Sequence, residues 1–540
     1  MKIFKLFPLA CAALMMSACG SDNDIEGGAT NPGGDAQYLA VNIVNVGTTP
    51  TGRAAVPGYE DGTTEESKIN KIRFYFFHAD GSAYGLKNAT GGVDNYIEKT
   101  TTTTAADGTN TVGAITNAIL VIEGTTKQAP ASVIAVVNPE SITPALGTDP
   151  KSLTELTNNL TGTQFYTIAT KDNFAMTNSV YVEAGRTVCP SLVAGHIGTD
   201  KTTAEANPVK IYVERVVAKV GADLSTLTAD VDGTGKYGMQ VGTYASKDIY
   251  AVIDGWGVAD ENDNAYVEKH ITNSWTDAGL GFTTTWTTAD YHRSFWETSP
   301  AFAAGTPTNH TFAEYTAQHN DVLYTLPNTP TAATTDIYKN DLTKFLVTAT
   351  LKYKDGTGTW QNAEICKYQG VEYLGIDALK EAIATTFNMY YTEAGGVYTP
   401  IQAGDVDFTT TGTSLKDYQV SPVLKTGKTY YKKNPTGTGY TPLTTENIST
   451  YPAEVREGGK AYYYIPIKHL GSDNSVAQYG VVRNHWYKVK VNSLKGFGTP
   501  VYAADKTIIP TMPDDSNTYL AAQINVLQWR VVSQDVNLGK

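Results

Sequence analysis

The sequence predicts an all-β protein with a few short helices. Three observations carry this. Thr, Gly, Tyr and Val dominate the chain, and long Ala/Leu/Glu/Lys runs are nearly absent. Short runs of β-branched and aromatic residues recur between Gly, Pro, Asn and Asp clusters. Hydrophobic residues make up 41% and aromatics 10%, which excludes a disordered chain. At 540 residues there is room for two or three domains.

A net charge of −13 without a basic stripe argues against nucleic acid as a partner. Cysteine is scarce. Cys11 lies inside an export signal and Cys19 at its end. Cys189 and Cys366 remain, either as a pair in an oxidising compartment or as two buried thiols.

Residues 1–18 read as a signal peptide: Lys2 and Lys5, then a mostly apolar run from Phe4 to Met16 too short to span a membrane. Met16-Ser17-Ala18-Cys19 has the form of a bacterial lipobox, which would make Cys19 the acylated first residue of an exported lipoprotein. The other reading is a plain signal peptide cut near Ala18. Residues 20–36 form a polar tether. Gln37–Val46 reads as a strand. It is followed by Gly47–Gly58, a Gly/Pro-punctuated stretch in which Arg53-Ala54 offers a protease an exposed bond. The other reading of Arg53 is a solvated loop residue.

Further on, Ile72, Phe74 and Phe76 alternate along a strand. Ala131–Val137 is a continuous buried-type strand. Ser152 caps a short helix carrying Leu153, Leu156 and Leu160. Ala204–Pro208 marks a domain boundary, and Val209–Val220 reads as one long strand after it. Asp377 caps a helix with Leu379, Ile383 and Phe387 on one face. Tyr462–His469 and His485–Val491 read as a late strand pair, with Tyr487, Val489 and Val491 on one face.

The last strand, Tyr519–Val532, follows a turn-rich spacer and reads as the end of a loose arm. Leu520, Ala522, Ile524 and Val526 share a face. The apolar parity then changes to Leu527, Trp529 and Val531, which predicts a bulge or a change of partner. Tyr38-Leu39-Ala40-Val41-Asn42-Ile43 near the other end repeats Tyr519-Leu520-Ala521-Ala522-Gln523-Ile524. The two segments would compete for one groove, Leu39, Val41 and Ile43 filling it first.

Several pieces together resemble the type V pilins of Bacteroidales, in particular the major subunit of short (Mfa-type) fimbriae. They are Lys210-Ile211-Tyr212-Val213-Glu214-Arg215-Val216-Val217-Ala218-Lys219, Val482-Arg483-Asn484-His485-Trp486-Tyr487, Lys495-Gly496-Phe497-Gly498 and Val526-Leu527-Gln528-Trp529-Arg530-Val531. Residues 225–480 match only in style. The resemblance implies two tandem transthyretin-like β-sandwich domains, here 54–206 and 207–498, after a propeptide 19–53 and before a linker and donor strand 499–540. It implies lipidation at Cys19 while the precursor sits on outer-membrane lipid, and a cut between Arg53 and Ala54 by an Arg-specific surface protease. The strand with Leu39, Val41 and Ile43 would then leave. A neighbour's Leu520, Ala522, Ile524, Val526, Leu527, Trp529 and Val531 would replace it in a head-to-tail filament at the cell surface. Partners would be copies of the chain and the anchor and tip subunits.

No enzyme motif emerges, and no cofactor or metal is expected. Asp260-Glu261-Asn262-Asp263-Asn264 fails as an EF-hand loop at Ala265 and Ile271. Gly233-Thr234-Gly235-Lys236 lacks the rest of a phosphate loop. Trp256, Trp275, Trp286, Trp296 and Trp360 suit core packing more than a sugar site. The competing readings are a tip or accessory subunit and a surface-anchored glycan-binding lipoprotein.

Overall fold

The computed structural model describes residues 37–45, 62–88, 90–100, 116–126, 128–179, 181–183, 186–188, 190–270, 296–317, 322–412, 415–443, 451–469, 473–512, 519–528 and 530–532. The described chain is mostly β, as expected. Its strands gather round two main cores, the first on one nine-stranded sheet and the second between two facing sheets, with a lobe inserted in the second.

The first domain is built on one sheet of nine strands. Its path runs Ile197–Gly198, Gln37–Asn45, Val209–Arg215, Met176–Asn178, Ser132–Val137, Lys71–Phe77 and Tyr96–Thr100. Thr116–Ile122 lies on the other edge of Gln37–Asn45. Ser132–Val137 is buried throughout, as its unbroken apolar run predicts. In Lys71–Phe77 the alternation understates burial: Tyr75 and Phe77 are as buried as Phe74 and Phe76, so this strand is covered on both faces. The expected helix at 152–160 is a single π-helical turn, Glu155–Asn159, and the Ser152 hydroxyl accepts the Glu155 N–H at 3.2 Å.

The boundary expected at 204–208 falls one strand early. Lys201–Ala206 is a helix capped by Asp200, with Ala204 buried, and it returns the chain into the first domain. The long strand expected at 209–220 is two strands in two sheets. Val209–Arg215 closes the first sheet, and Ala218–Asp223 opens the second domain. The parity of buried residues shifts at the crossing, from Val209, Ile211 and Val213 to Ala218 and Val220. That shift was the available signal.

The second domain packs two sheets face to face. One runs Leu323–Thr325, Ala218–Asp223, His485–Lys495, Tyr519–Gln528, Arg530–Val532. The other runs Gly238–Tyr244, Lys247–Ala259, Lys344–Lys354, Lys460–Pro466, Thr499–Pro500. Between them lie Val220, Ile249, Ala251, Val347, Ala349, Tyr487, Val489 and Val491. The late segments expected to pair therefore lie in opposite sheets. Both are amphipathic strands on one core, and pattern alone does not distinguish facing from pairing. The face assignment holds: Tyr487, Val489 and Val491 are buried and Lys488 and Lys490 are not.

Between Trp360–Asn362 and Lys460–Pro466 the chain builds a lobe that the sequence did not announce. It has its own core of Tyr368, Leu379, Ile383, Val406, Val420 and Val455. Its helix, Ile376–Thr386, buries Leu379 and Ile383 as expected, but the N-cap is Gly375, at φ 99°, and Asp377 sits in the first turn. Glycine suits that left-handed position, and a first-turn carboxylate favours the helix through its dipole. Cys366 is a buried free thiol here, pushed up to about 12 by burial. Cys189 lies outside the described residues.

Candidate assembly strands and the domain junction

Gln37–Asn45 occupies an interior place in the first sheet. One edge pairs antiparallel with Thr116–Ile122, from Gln37–Ile122 to Ile43–Thr116. The other edge pairs antiparallel with Ile197–Gly198, then parallel with Val209–Arg215, from Val41–Val209 to Asn45–Val213. Leu39 and Val41 are fully buried, and Leu39 lies opposite the buried Leu120. Ile43 is placed by its register opposite Ile211. Among the described residues, Thr116–Ile122 and Ile197–Gly198 have no other strand partner. Taking Gln37–Asn45 away would leave two open edges and a vacant strip of core.

Tyr519–Gln528 sits differently. It is docked on its own second domain, antiparallel to His485–Lys495, with a register shift at Val491/Ser493. The loose arm expected from the sequence is thus a folded strand. Leu520 and Ala522 are buried in the second core. Leu520, Ala522, Ile524 and Val526 stand opposite Leu494, Val491, Val489 and Tyr487, the buried row of the partner strand. At Leu520 and Ala522 the apolar face read from parity is the core face. The parity change is a chain reversal: Arg530–Val532 folds back, with Leu527 opposite Val531 and Gln528 opposite Arg530. Trp529 lies outside the described residues, as do Cys19, Arg53 and Ala54.

Sequence reasoning missed the junction between the domains. Two of the stretches that carried the resemblance meet there. Arg215 is fully buried: its Nε donates to the Glu66 carbonyl at 2.7 Å, Nη2 to Ser67 Oγ at 3.0 Å and Nη1 to Asn484 Oδ1 at 3.4 Å. The Asn484 N–H donates to the Val217 carbonyl at 2.8 Å. Lys219 Nζ pairs with Glu66 at 2.6 Å and lies 4.0 Å from the centre of the Trp486 ring. The Tyr324 hydroxyl also donates to Glu66. Burial pulls the Glu66 pKa up, but Lys219 and Arg215 outweigh it and hold the carboxyl below its ordinary value. Burial, then the Glu66 charge, pushes Tyr324 far up.

Glu66 belongs to a short helix, Thr64–Ser67, where it forms a capping box with Thr63. Gly62 just before it runs against Arg215: a Cβ there would lie 2.5 Å from Nη2. A second tie lies beside the first. The buried Arg483 donates to Glu297 at 2.7 Å and to the Val267 and Tyr266 carbonyls at 3.1 and 2.8 Å. Ala265-Tyr266 in turn pairs with Thr161-Gly162 of the first domain. The signal was two short motifs rich in buried-type charges, far apart in sequence; nothing in either names its partner.

The acidic stretch 260–264 is spent on structure. Asp260 pairs with Lys344 at 2.5 Å, Glu261 with His310 at 3.1 Å, and Asp263 accepts the Ala303 and Ala304 N–H groups at 2.6 and 2.7 Å. Among the described residues no group of His, Cys, Asp or Glu could hold a metal. Trp256 and Trp296 are buried and Trp360 is half-buried; Trp275 and Trp286 lie outside the described residues. A cleft of about 570 Å³ separates the lobe from the second domain, lined by Tyr244, Lys367, Glu372, Glu454, Arg456 and Phe497. The Arg456 guanidinium is tied to the Phe497, Ile365 and Gly498 carbonyls at 3.0, 2.9 and 2.6 Å, so it braces the wall of the cleft.

Comparison with known proteins bears out the resemblance. Residues 38–215 match the family described as major fimbrial subunit protein (FimA). Residues 456–535 match the C-terminal part of the type IV major fimbrial subunit protein, fimbrillin. The first match starts in the N-terminal strand and ends at Arg215, the last residue of the first sheet. No curated protein matches the chain. Among solved structures, a candidate cell adhesion protein from Bacteroides eggerthii is 13% identical, with 93% of this chain and 98% of that one covered and a TM-score of 0.36. A candidate cell adhesion protein from Parabacteroides distasonis is 12% identical, covering 91% and 97%, TM-score 0.34. The tip fimbrial protein Mfa3 from Porphyromonas gingivalis, truncated at its C-terminus, is 10% identical, covering 92% and 100%, TM-score 0.30.

Proposed function

We infer that this chain, similar at both ends to major fimbrial subunits, is a structural shaft subunit of a cell-surface fimbria and not an enzyme. It is exported as a lipoprotein on Cys19 and cut between Arg53 and Ala54. It then polymerises when the C-terminal strand of a neighbour replaces Gln37–Asn45. The observation that carries this reading is the interior place of Gln37–Asn45, paired on both edges just before the Gly/Pro-rich segment that holds Arg53. Cutting that segment turns an integral strand of nine residues, about 30 Å long, into a separable ligand. The new N-terminal part stays anchored at the junction through Gly62 and Glu66.

The vacated slot supplies two hydrogen-bonding edges and the buried sites of Leu39 and Val41. Leu520 and Ala522 repeat the spacing of those residues on a strand of ten. Such a contact is head-to-tail and does not close, so it builds a filament. The test is N-terminal sequencing and intact mass of protein sheared from the cell surface, with an SDS ladder run unboiled. Chains starting at Ala54 in a ladder that collapses on boiling are expected, and Arg53→Ala should abolish both. Lipidated chains starting at Cys19 and running only as monomer would overturn the reading.

A further inference from the structure

Asp260–Lys344 is among the most deeply buried ion pairs of the described residues. Both side chains are completely buried, and Lys344 Nζ lies 2.5 Å from Asp260 Oδ2. They sit at the ends of adjacent antiparallel strands in the middle of the second domain: Ala259 is the register partner of Lys344. Asp260 is a non-glycine residue at φ 52°, a strained conformation that its surroundings impose. Its N–H donates to Asn309 Oδ1 at 2.9 Å, and its carbonyl accepts Thr343 Oγ1 at 3.1 Å. Asn309 Nδ2 donates to the other carboxyl oxygen, Oδ1, at 2.9 Å. Lys344 Nζ is held against the Lys339 and Leu342 carbonyls at 2.6 and 3.2 Å. Amine and carboxyl are thus held in contact by groups on two segments, Asn309 on one and Lys339, Leu342 and Thr343 on the other.

We propose that Lys344 and Asp260 condense into an intramolecular isopeptide bond, with Asp341 as the proton shuttle. Burial favours the reactive forms: it pushes the Asp260 carboxyl up and the Lys344 amine down, toward a neutral acid beside a neutral amine. Asp341 acts electrostatically on both groups. Its Oδ1 is buried with no hydrogen-bond partner among the described residues. The Nζ lone pair attacks Cγ of protonated Asp260 and the C–N bond forms. Asp341 takes a proton from Nζ and passes it to the departing hydroxyl. The Cγ–O bond breaks and one water leaves; no oxidant or second reagent is needed. The product ties two central strands that are 84 residues apart in sequence.

Tryptic digestion of the denatured full chain, followed by tandem mass spectrometry, tests this directly. The expected product is a branched peptide joining the Asp260 and Lys344 segments, lighter than their sum by one water. Trypsin should then fail to cut after Lys344. Lys344→Arg should lose the branch, and Asp341→Asn should keep the fold by circular dichroism but form little or none of it. Two separate peptides with full cleavage after Lys344 in the native chain would overturn the bond and leave an ion pair. A fully branched Asp341→Asn chain would overturn the role of Asp341.

Discussion

The two terminal strands have similar sequences and opposite positions. Gln37–Asn45 is interior, with both edges paired, and it completes a core. Tyr519–Gln528 is near an edge, bound on one side to His485–Lys495 and, among the described residues, on the other only to the short Arg530–Val532. An interior strand is hard to lose and leaves a demanding vacancy. An edge strand can leave while its sheet survives. That asymmetry suits one segment to be expelled and the other to be lent. It also predicts that equal insults to the two strands have unequal effects.

The largest effect is expected from charge in the interior strand. Leu39→Asp with Val41→Asp, in the uncut chain, puts two carboxylates into fully buried sites, each costing several kcal/mol. The first domain should lose its cooperative melting transition while the second keeps its own. Leu520→Asp should lower the second transition without abolishing it, since the terminal hairpin can undock. Calorimetry of the two variants checks both. Equal losses would mean that the strands are equivalent and that the asymmetry has no energetic content.

Truncation of the junction comes next. Lys219→Met leaves Glu66 buried beside one cation fewer and should cost roughly 3–5 kcal/mol. Adding Glu66→Gln should recover part of that. Denaturant unfolding should show the two domains separating into distinct transitions in Lys219→Met alone. If they stay merged, the domains are coupled by packing, and the charge cluster is incidental.

Much of the fold was legible because strand burial writes itself as period two. The inward face at Leu520 and Ala522 and the buried strand Ser132–Val137 are legible from it. What period two does not encode is the partner. Hence Tyr462–His469 and His485–Val491 were paired with each other, although they face across a core. Val209–Val220 was read as one strand, although it serves two sheets. The lobe around Leu379 and Val420 was hidden because its strands are short and its Tyr-rich sheet resembles loop composition. The buried charges at the junction were visible as residues and invisible as a cluster, since Glu66, Arg215, Lys219 and Asn484 come from three distant segments.

A milder test keeps both strands uncharged. Leu39→Ala removes a fully buried side chain from a site walled on both edges and should cost about 4 kcal/mol. Leu520→Ala, near an edge that can relax, should cost about 2 kcal/mol, both within the range for buried leucines. Urea midpoints of the separate transitions give the comparison. If Leu520→Ala costs as much as Leu39→Ala, the C-terminal strand is as integral to its own domain as the N-terminal one, and lending it would be correspondingly costly.

The smallest effect is a pH dependence that belongs to the junction and to neither strand. The Glu66 pKa is depressed in the folded protein because Lys219 and Arg215 outweigh its burial. A depressed carboxyl binds fewer protons folded than unfolded in the acid range, so stability there rises with pH. Its contribution is fully present above the ordinary glutamate pKa and is lost as pH falls through the folded value. The melting temperature of the parent chain should therefore fall more steeply below the ordinary glutamate pKa than that of Glu66→Gln/Lys219→Met. The two should run parallel at neutral pH. Curves that stay parallel into acid would mean that Glu66 stays charged in the unfolded chain as readily as in the folded one, and the junction would then be held by its hydrogen bonds alone.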